Sequence, residues 1–109
     1  MSFTSPYLTI PSITIPQLII KYLQLEGVER IFGIPGGSFP DLLAQLHSMR
    51  DALPYVVCKH ETGAGYMADG YHRVSGKLGV VLVTAGPGAT NALTGAMNAQ
   101  AGMTSMLVI

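Results

Sequence analysis

Residues 79–91 read Gly-Val-Val-Leu-Val-Thr-Ala-Gly-Pro-Gly-Ala-Thr-Asn. Gly79 to Thr84 is an apolar, β-branched run, which predicts a strand. It is apolar at successive positions and so presents apolar side chains to both faces, as a strand buried in a parallel sheet must. Gly86-Pro87-Gly88 predicts a turn. Ala89 to about Gln100 follows as a helix, and Met106 to Ile109 begins another apolar strand.

The same alternation runs back toward the N-terminus. Residues 60–75 predict a helix stopped by Gly76, preceded by a strand over Tyr55 to Cys58 and a break at Pro54. Before that, Leu42, Leu43 and Leu46 form the stripe of a helix with Ser38 or Asp41 near its start. Val28 to Ile34 reads as a strand closed by Pro35-Gly36-Gly37. Thr14 is placed to cap a first helix with Pro16 in its first turn. Leu18, Ile19, Tyr22 and Leu23 are its apolar stripe, and Gly27 its end. Residues 1–13 carry Ser, Thr and Pro without charge and read as a loose arm ahead of a domain over 14–109. Helix, three strand–helix units and a strand predict a three-layer α/β fold, its sheet mostly parallel with helices on both faces. The last strand would lie at an open sheet edge, so the fold is expected to be truncated at its C-terminal edge and the chain to be a fragment.

Composition narrows the function. The chain has 109 residues, of which 11% are charged, against about 25% in ordinary domains. So thin a charged skin suits a piece that buries surface against something else. Six basic and six acidic residues cancel, and no basic stripe invites nucleic acid. No apolar run nears the roughly 18 residues of a membrane helix. The early apolar stretch is interrupted by Pro6, Pro11 and Pro16 and lacks a charged start, unlike a signal peptide, so the expected location is the cytoplasm. Cys58, the single cysteine, sits in an apolar strand and reads as a core residue.

In open α/β sheets ligands bind beyond the carboxyl ends of the strands. Three strand-to-helix turns meet there: residues 33–37, 59–63 and 84–91. The last resembles a dinucleotide fingerprint, but Asn91 stands where its third Gly belongs, and no acid follows Asp69. Glu61 opens a helix, where a carboxylate also simply complements the helix dipole. His60 reads as a helix-start side chain, and His47 and His72 as exposed. Asp69 and Arg73 are four apart and suit a surface ion pair. The helix holding Gly63, Ala64, Gly65, Ala68 and Gly70 accepts about 1 kcal/mol per interior glycine, which implies a close approach, either to another helix or to a ligand. No Cys/His/Asp/Glu cluster has metal-ligand spacing, so no metal site is expected.

Taken together, FGIPGG at 32–37, KHETGAGYMADGYHRVSGKLGVVLVT at 59–84 and AGPGATNALTGAMNAQ at 85–100 resemble the N-terminal, pyrimidine-binding domain of acetolactate-synthase-like thiamin diphosphate enzymes, from about Thr14 to Ile109. The resemblance implies Glu61 as the catalytic carboxylate that shares a proton with the aminopyrimidine ring. It implies that Glu61 is buried, with a raised pKa. Pro35, Gly36, Pro87 and Asn91 are implied as cofactor-binding residues beside Glu61. The diphosphate and Mg²⁺ are implied to rest on the C-terminal domain of a neighbouring subunit. The Gly-Asp-Gly motif of that domain is absent here, where residues 68–70 read Ala-Asp-Gly on a helix. Homodimer or homotetramer contacts through the Gly63–Gly70 helix and a small 2-oxo acid substrate are implied as well, with no nucleic-acid or membrane partner. FAD is left open. The expected function is the cofactor-binding part of a 2-oxo acid carboligase or decarboxylase, a transferase or lyase, with no catalysis from this chain alone. The alternatives are a truncated, non-catalytic module that pairs with a full-length thiamin enzyme, and, less favoured, a dinucleotide-binding domain.

Overall fold

The computed structural model describes residues 3–5, 8–10 and 12–109. Strands β1 (Phe3–Ser5) and β2 (Leu8–Ile10) pair antiparallel. The rest of the arm expected over residues 1–13 lies outside the described residues, apart from Ser12 and Ile13.

Helix α1 (Ile15–Leu25) starts where Thr14 caps it. The Thr14 hydroxyl accepts from the Gln17 amide at 3.4 Å, and the Gln17 side chain accepts from the Thr14 amide at 3.0 Å, a reciprocal box that satisfies two free donors. Gly27 follows its end with a φ of 75°, the left-handed turn that glycine takes without strain. Then come β3 (Ile31–Gly33), α2 (Pro40–Ser48), β4 (Tyr55–Val57), α3 (Glu61–Ser75), β5 (Gly79–Leu82), α4 (Pro87–Ala101) and β6 (Met106–Val108). The strands are shorter than the apolar runs that predict them.

The four-stranded sheet has the order β4-β3-β5-β6 and every pairing in it is parallel. The chain steps from β3 outward to β4, then returns across β3 to β5 and β6. Right-handed crossovers in opposite directions put their helices on opposite faces. Accordingly α1 and α2 cover one face and α3 and α4 the other. Alternating residues feed the two cores. Ile31, Val80 and Leu82 join Ile20, Leu23, Leu42, Leu46 and Leu53. Phe32, Val81 and Val83 join Ala64, Ala68, Ala92 and Cys58. Cys58 is a buried core residue, as expected.

The second core is thin because its helices are made of small residues. Gly65 and Gly95 meet directly, and a Cβ on Gly65 would stand 2.8 Å from the Gly95 Cα. The close approach implied by the glycines of α3 is thus made at Gly65 to a helix of the same chain. Gly63 and Gly70 have nothing within reach of a Cβ.

The expected ion pair between Asp69 and Arg73 forms, with Arg73 exposed, but its Asp69 end is not at the surface. Asp69 is buried, with 4% of its surface exposed. It lies four residues beyond Gly65, on the helix face turned to α4. Its carboxylate accepts from Arg73 Nε at 3.0 Å, Asn98 Nδ2 at 2.8 Å and the Thr104 hydroxyl. These bonds, the Thr104 one above all, hold its pKa below the usual aspartate value against the opposing effect of burial.

Candidate functional site

The strand order reverses between β3 and β5, and the crevice at such a point is where open α/β sheets take ligands. The turns after these strands close on each other. The Ser38 hydroxyl lies 2.9 Å from the Thr84 hydroxyl and accepts from the Ala85 amide at 3.1 Å. Ser38 therefore ties two turns together instead of capping α2, whose N-cap is Phe39 with no side-chain bond. Thr84 stands between two glycines. A Cβ on Gly36 would lie 2.6 Å from Thr84 Oγ1, and one on Gly88 would lie 2.9 Å from Thr84 Cγ2.

Glu61 enters from the side, at the first position of α3. His60 caps that helix, its Nδ1 accepting from the Thr62 amide at 3.1 Å. Glu61 Oε2 accepts a hydrogen bond from Asn91 Nδ2 at 3.1 Å. Its Oε1 faces the bare backbone of Gly88, where a Cβ would come to 3.5 Å. Thr62 donates to the Asn91 carbonyl at 2.7 Å, so Asn91 is held by both its backbone and its side chain.

Glu61 as a residue is half-buried, and its pKa lies below the ordinary glutamate value. The free amide at the helix start is the main cause and the Asn91 bond the next. Partial burial opposes them, and His60 adds a smaller downward pull. The raised pKa implied by the resemblance is not met in this chain, because the donors at the helix terminus outweigh the burial its own residues supply.

The structure thus brings Glu61 and Asn91 into contact, with Gly88, Thr84 and Gly36 packed behind them. Pro87 is exposed on the first turn of α4. Pro35 lines a different hollow of about 380 Å³, with Leu43, His47, Arg50, Tyr55 and Val57. A larger hollow of about 660 Å³, lined by Ile15, Ile19, Phe39, Thr84 and Ile109 among others, also lacks Glu61 in its lining. Thr84, Ser38 and Thr62 were not singled out as site residues. Their partners lie 29 to 47 positions away, beyond any local pattern. Among the described residues no group of three or more His, Cys, Asp or Glu side chains could hold a metal ion. No helix among them is long and apolar enough to cross a membrane.

A parallel α/β sheet with a glutamate at one strand-to-helix junction, facing Gly88 in the first turn of the next helix, defines a candidate ligand site at the carboxyl edge of the sheet. The chain belongs to the family described as thiamine pyrophosphate enzyme, N-terminal TPP binding domain, which matches residues 13–109. It is 43% identical over 97 residues to the acetolactate synthase large subunit of Haemophilus influenzae, covering 89% of this chain and 17% of that protein. It is 46% identical over 82 residues to the mitochondrial acetolactate synthase catalytic subunit of Saccharomyces cerevisiae, covering 75% of this chain and 12% of that one. A Pseudomonas aeruginosa protein named "Probable 2-ketoarginine decarboxylase" is 43% identical over 98 residues, covering 90% of this chain and 17% of its own length. The chain therefore spans less than a fifth of these relatives.

Proposed function

We propose that this chain forms the pyrimidine-side half of a thiamin diphosphate site in an acetolactate-synthase-like enzyme acting on 2-oxo acids, with Glu61 as the proton-relay carboxylate. The supporting observation is the setting of that carboxyl. One oxygen is tied to Asn91, and the other faces Gly88, which has no side chain. A flat ring can approach such a surface, and the residues fit it.

Thiamin diphosphate, when bound, supplies the nucleophilic carbon and the electron sink. The residues of this chain supply orientation and a proton. Glu61 Oε1 is placed to share a proton with a ring nitrogen, and the bare backbone at Gly88 admits the ring edge. For that exchange the carboxyl must titrate closer to working pH than it does in this chain. Cover by a neighbouring subunit would desolvate it and raise its pKa. Such cover suits α3 and α4, which expose Tyr66, Met67, Leu93 and Met97. A homodimer or homotetramer formed through these helices, in the cytoplasm, completes the reading. Mg²⁺ and the diphosphate are assigned to a domain outside this chain, and the reaction to the transferase or lyase class.

Two measurements test this. In the intact protein, Glu61→Gln is expected to slow deuterium exchange at the thiazolium carbon by two orders of magnitude or more, on the order of one general acid–base contribution. Exchange at the normal rate in that variant would refute the assigned role. Met97→Glu is expected to convert the assembly to smaller species in sedimentation, and an unchanged assembly would remove α4 from the subunit contact.

A further inference from the structure

The reading of Glu61 as the proton-relay carboxylate leaves open which of its two oxygens meets the ring. On that reading, we propose that Asn91 is a positioning residue that occupies Oε2 of Glu61 and reserves Oε1 for the proton transfer. Asn91 was expected to line the cofactor pocket. In the structure its amide is turned onto Glu61 instead, donating to Oε2 at 3.1 Å.

Three observations carry this. The Asn91 amide N–H can only donate, so the oxygen it holds is kept as an acceptor. Oε1, by contrast, faces Gly88, where an added Cβ would crowd Thr84 Cγ2 at 2.9 Å and come only into ordinary contact with Oε1 at 3.5 Å. Finally, Asn91 is itself fixed, because Thr62 donates to its carbonyl at 2.7 Å. The carboxyl plane is thus set from α4, which starts at Pro87 inside the expected Gly-Pro-Gly turn, one helical turn before Asn91.

The arrangement has an electrostatic consequence. A donor on Oε2 favours the carboxylate; the pKa of Glu61 is lowered first by its own backbone amide and second by this Asn91 bond. The other titratable groups that act on or feel this carboxyl are His60, which also favours its charged form, and Tyr55, whose own ionisation it disfavours. Neither supplies a hydrogen bond to the Glu61 side chain among the described residues.

The test uses Asn91→Leu, which removes the donor and keeps the bulk, and Asn91→Gln, which keeps an amide. The bond from Thr62 goes to the backbone carbonyl of residue 91 and survives both changes, so the helix pair stays tied. The glutamates of the sequence are Glu26, Glu29 and Glu61, so a chain labelled at the glutamate carboxyl carbon shows Glu61 as one of three titrating NMR signals. Asn91→Leu is expected to move the Glu61 midpoint upward while Glu26 and Glu29 stay in place. Asn91→Gln is expected to restore part of the shift. In the intact enzyme, Asn91→Leu is expected to move the pH profile of thiazolium deuterium exchange in the same direction and to lower its maximum about tenfold. An unmoved Glu61 titration in Asn91→Leu, or an unmoved exchange profile, overturns the inference. If Glu61→Gln exchanges normally, the role of Glu61 fails. If Glu61→Gln is inert while Asn91→Leu behaves as wild type, only the role of Asn91 fails.

Discussion

Gly65 of α3 and Gly95 of α4 touch backbone to backbone: a Cβ on Gly95 would lie 2.8 Å from the Gly65 carbonyl carbon and 3.1 Å from the Tyr66 amide. No rotamer change relieves a clash with main chain, so the helices themselves would have to part. Gly95→Ala is expected to cost about 1–3 kcal/mol, a fall in melting temperature of roughly 5–20 °C for a domain of this size. Gly70→Ala, on the same α3, meets nothing within 4 Å. It should instead gain about 0.5–1 kcal/mol by removing a flexible residue from a helix interior. Thermal melts of the two variants give opposite signs if the helix contact is as described. Equal signs would deny the backbone contact that sets Gly95 of α4 apart from Gly70 of α3.

Tyr55 crosses a strand to reach its partner. Its hydroxyl donates to the Leu82 carbonyl at 2.8 Å, so β4 is bonded through a side chain to β5, with β3 between them. This span exists only because β3 carries Gly33 at that point, where a Cβ would lie 2.5 Å from the Tyr55 hydroxyl and run into the Leu82 carbonyl. Burial pushes the ionisation of Tyr55 well above the ordinary tyrosine range, so it remains a donor. Tyr55→Phe is expected to cost about 0.5–1.5 kcal/mol. Gly33→Ala should cost more, about 3 kcal/mol or above, since it displaces both the hydroxyl and the strand carbonyl. In the double variant the two costs should not add, because the first change already removes one of the groups that the methyl would displace. Urea unfolding of the four proteins measures this, and strict additivity would deny the shared contact.

The layered fold was legible because local and global preferences agree. The apolar run at Gly79–Leu82 could be nothing but a doubly buried strand, and its residues are buried throughout. Turn residues also placed the helix starts at Thr14 and His60 correctly. The motif singles out Glu61, and the structure places it at the start of α3 in contact with Asn91, while its role stays a proposal. What was not legible depends on pairs distant in sequence. Ser38 reads only as a residue near a helix start, yet its hydroxyl bonds to Thr84, 46 residues on. Asp69 and Arg73 fit a surface ion pair by spacing alone. The turn of α3 that buries Gly65 against Gly95 carries Asp69 inward too, to Asn98 and Thr104.

That buried carboxylate makes a pH-dependent tie between α3, α4 and the turn before β6. The Thr104 hydroxyl is the largest influence holding its pKa down, burial acts against it, and Arg73 and Asn98 assist. A folded-state value below the unfolded one means that Asp69 binds a proton more weakly in the folded chain. Its contribution to stability is therefore complete above the ordinary aspartate value of 3.8, and fades as pH falls through the lower folded-state value. Thr104→Val removes the main cause. It is expected to lower stability near neutral pH and to shift acid unfolding to higher pH, with the gap from wild type closing below the ordinary aspartate value. Asp69→Asn, whose side chain does not titrate, should likewise show a gap from wild type that closes as pH falls through the same range. Melting temperatures of the three proteins taken between about pH 3 and pH 7 decide the matter. A gap between wild type and Thr104→Val that stays constant down to the acid limit would mean that the Thr104 hydroxyl acts through packing alone, and not by holding the Asp69 charge.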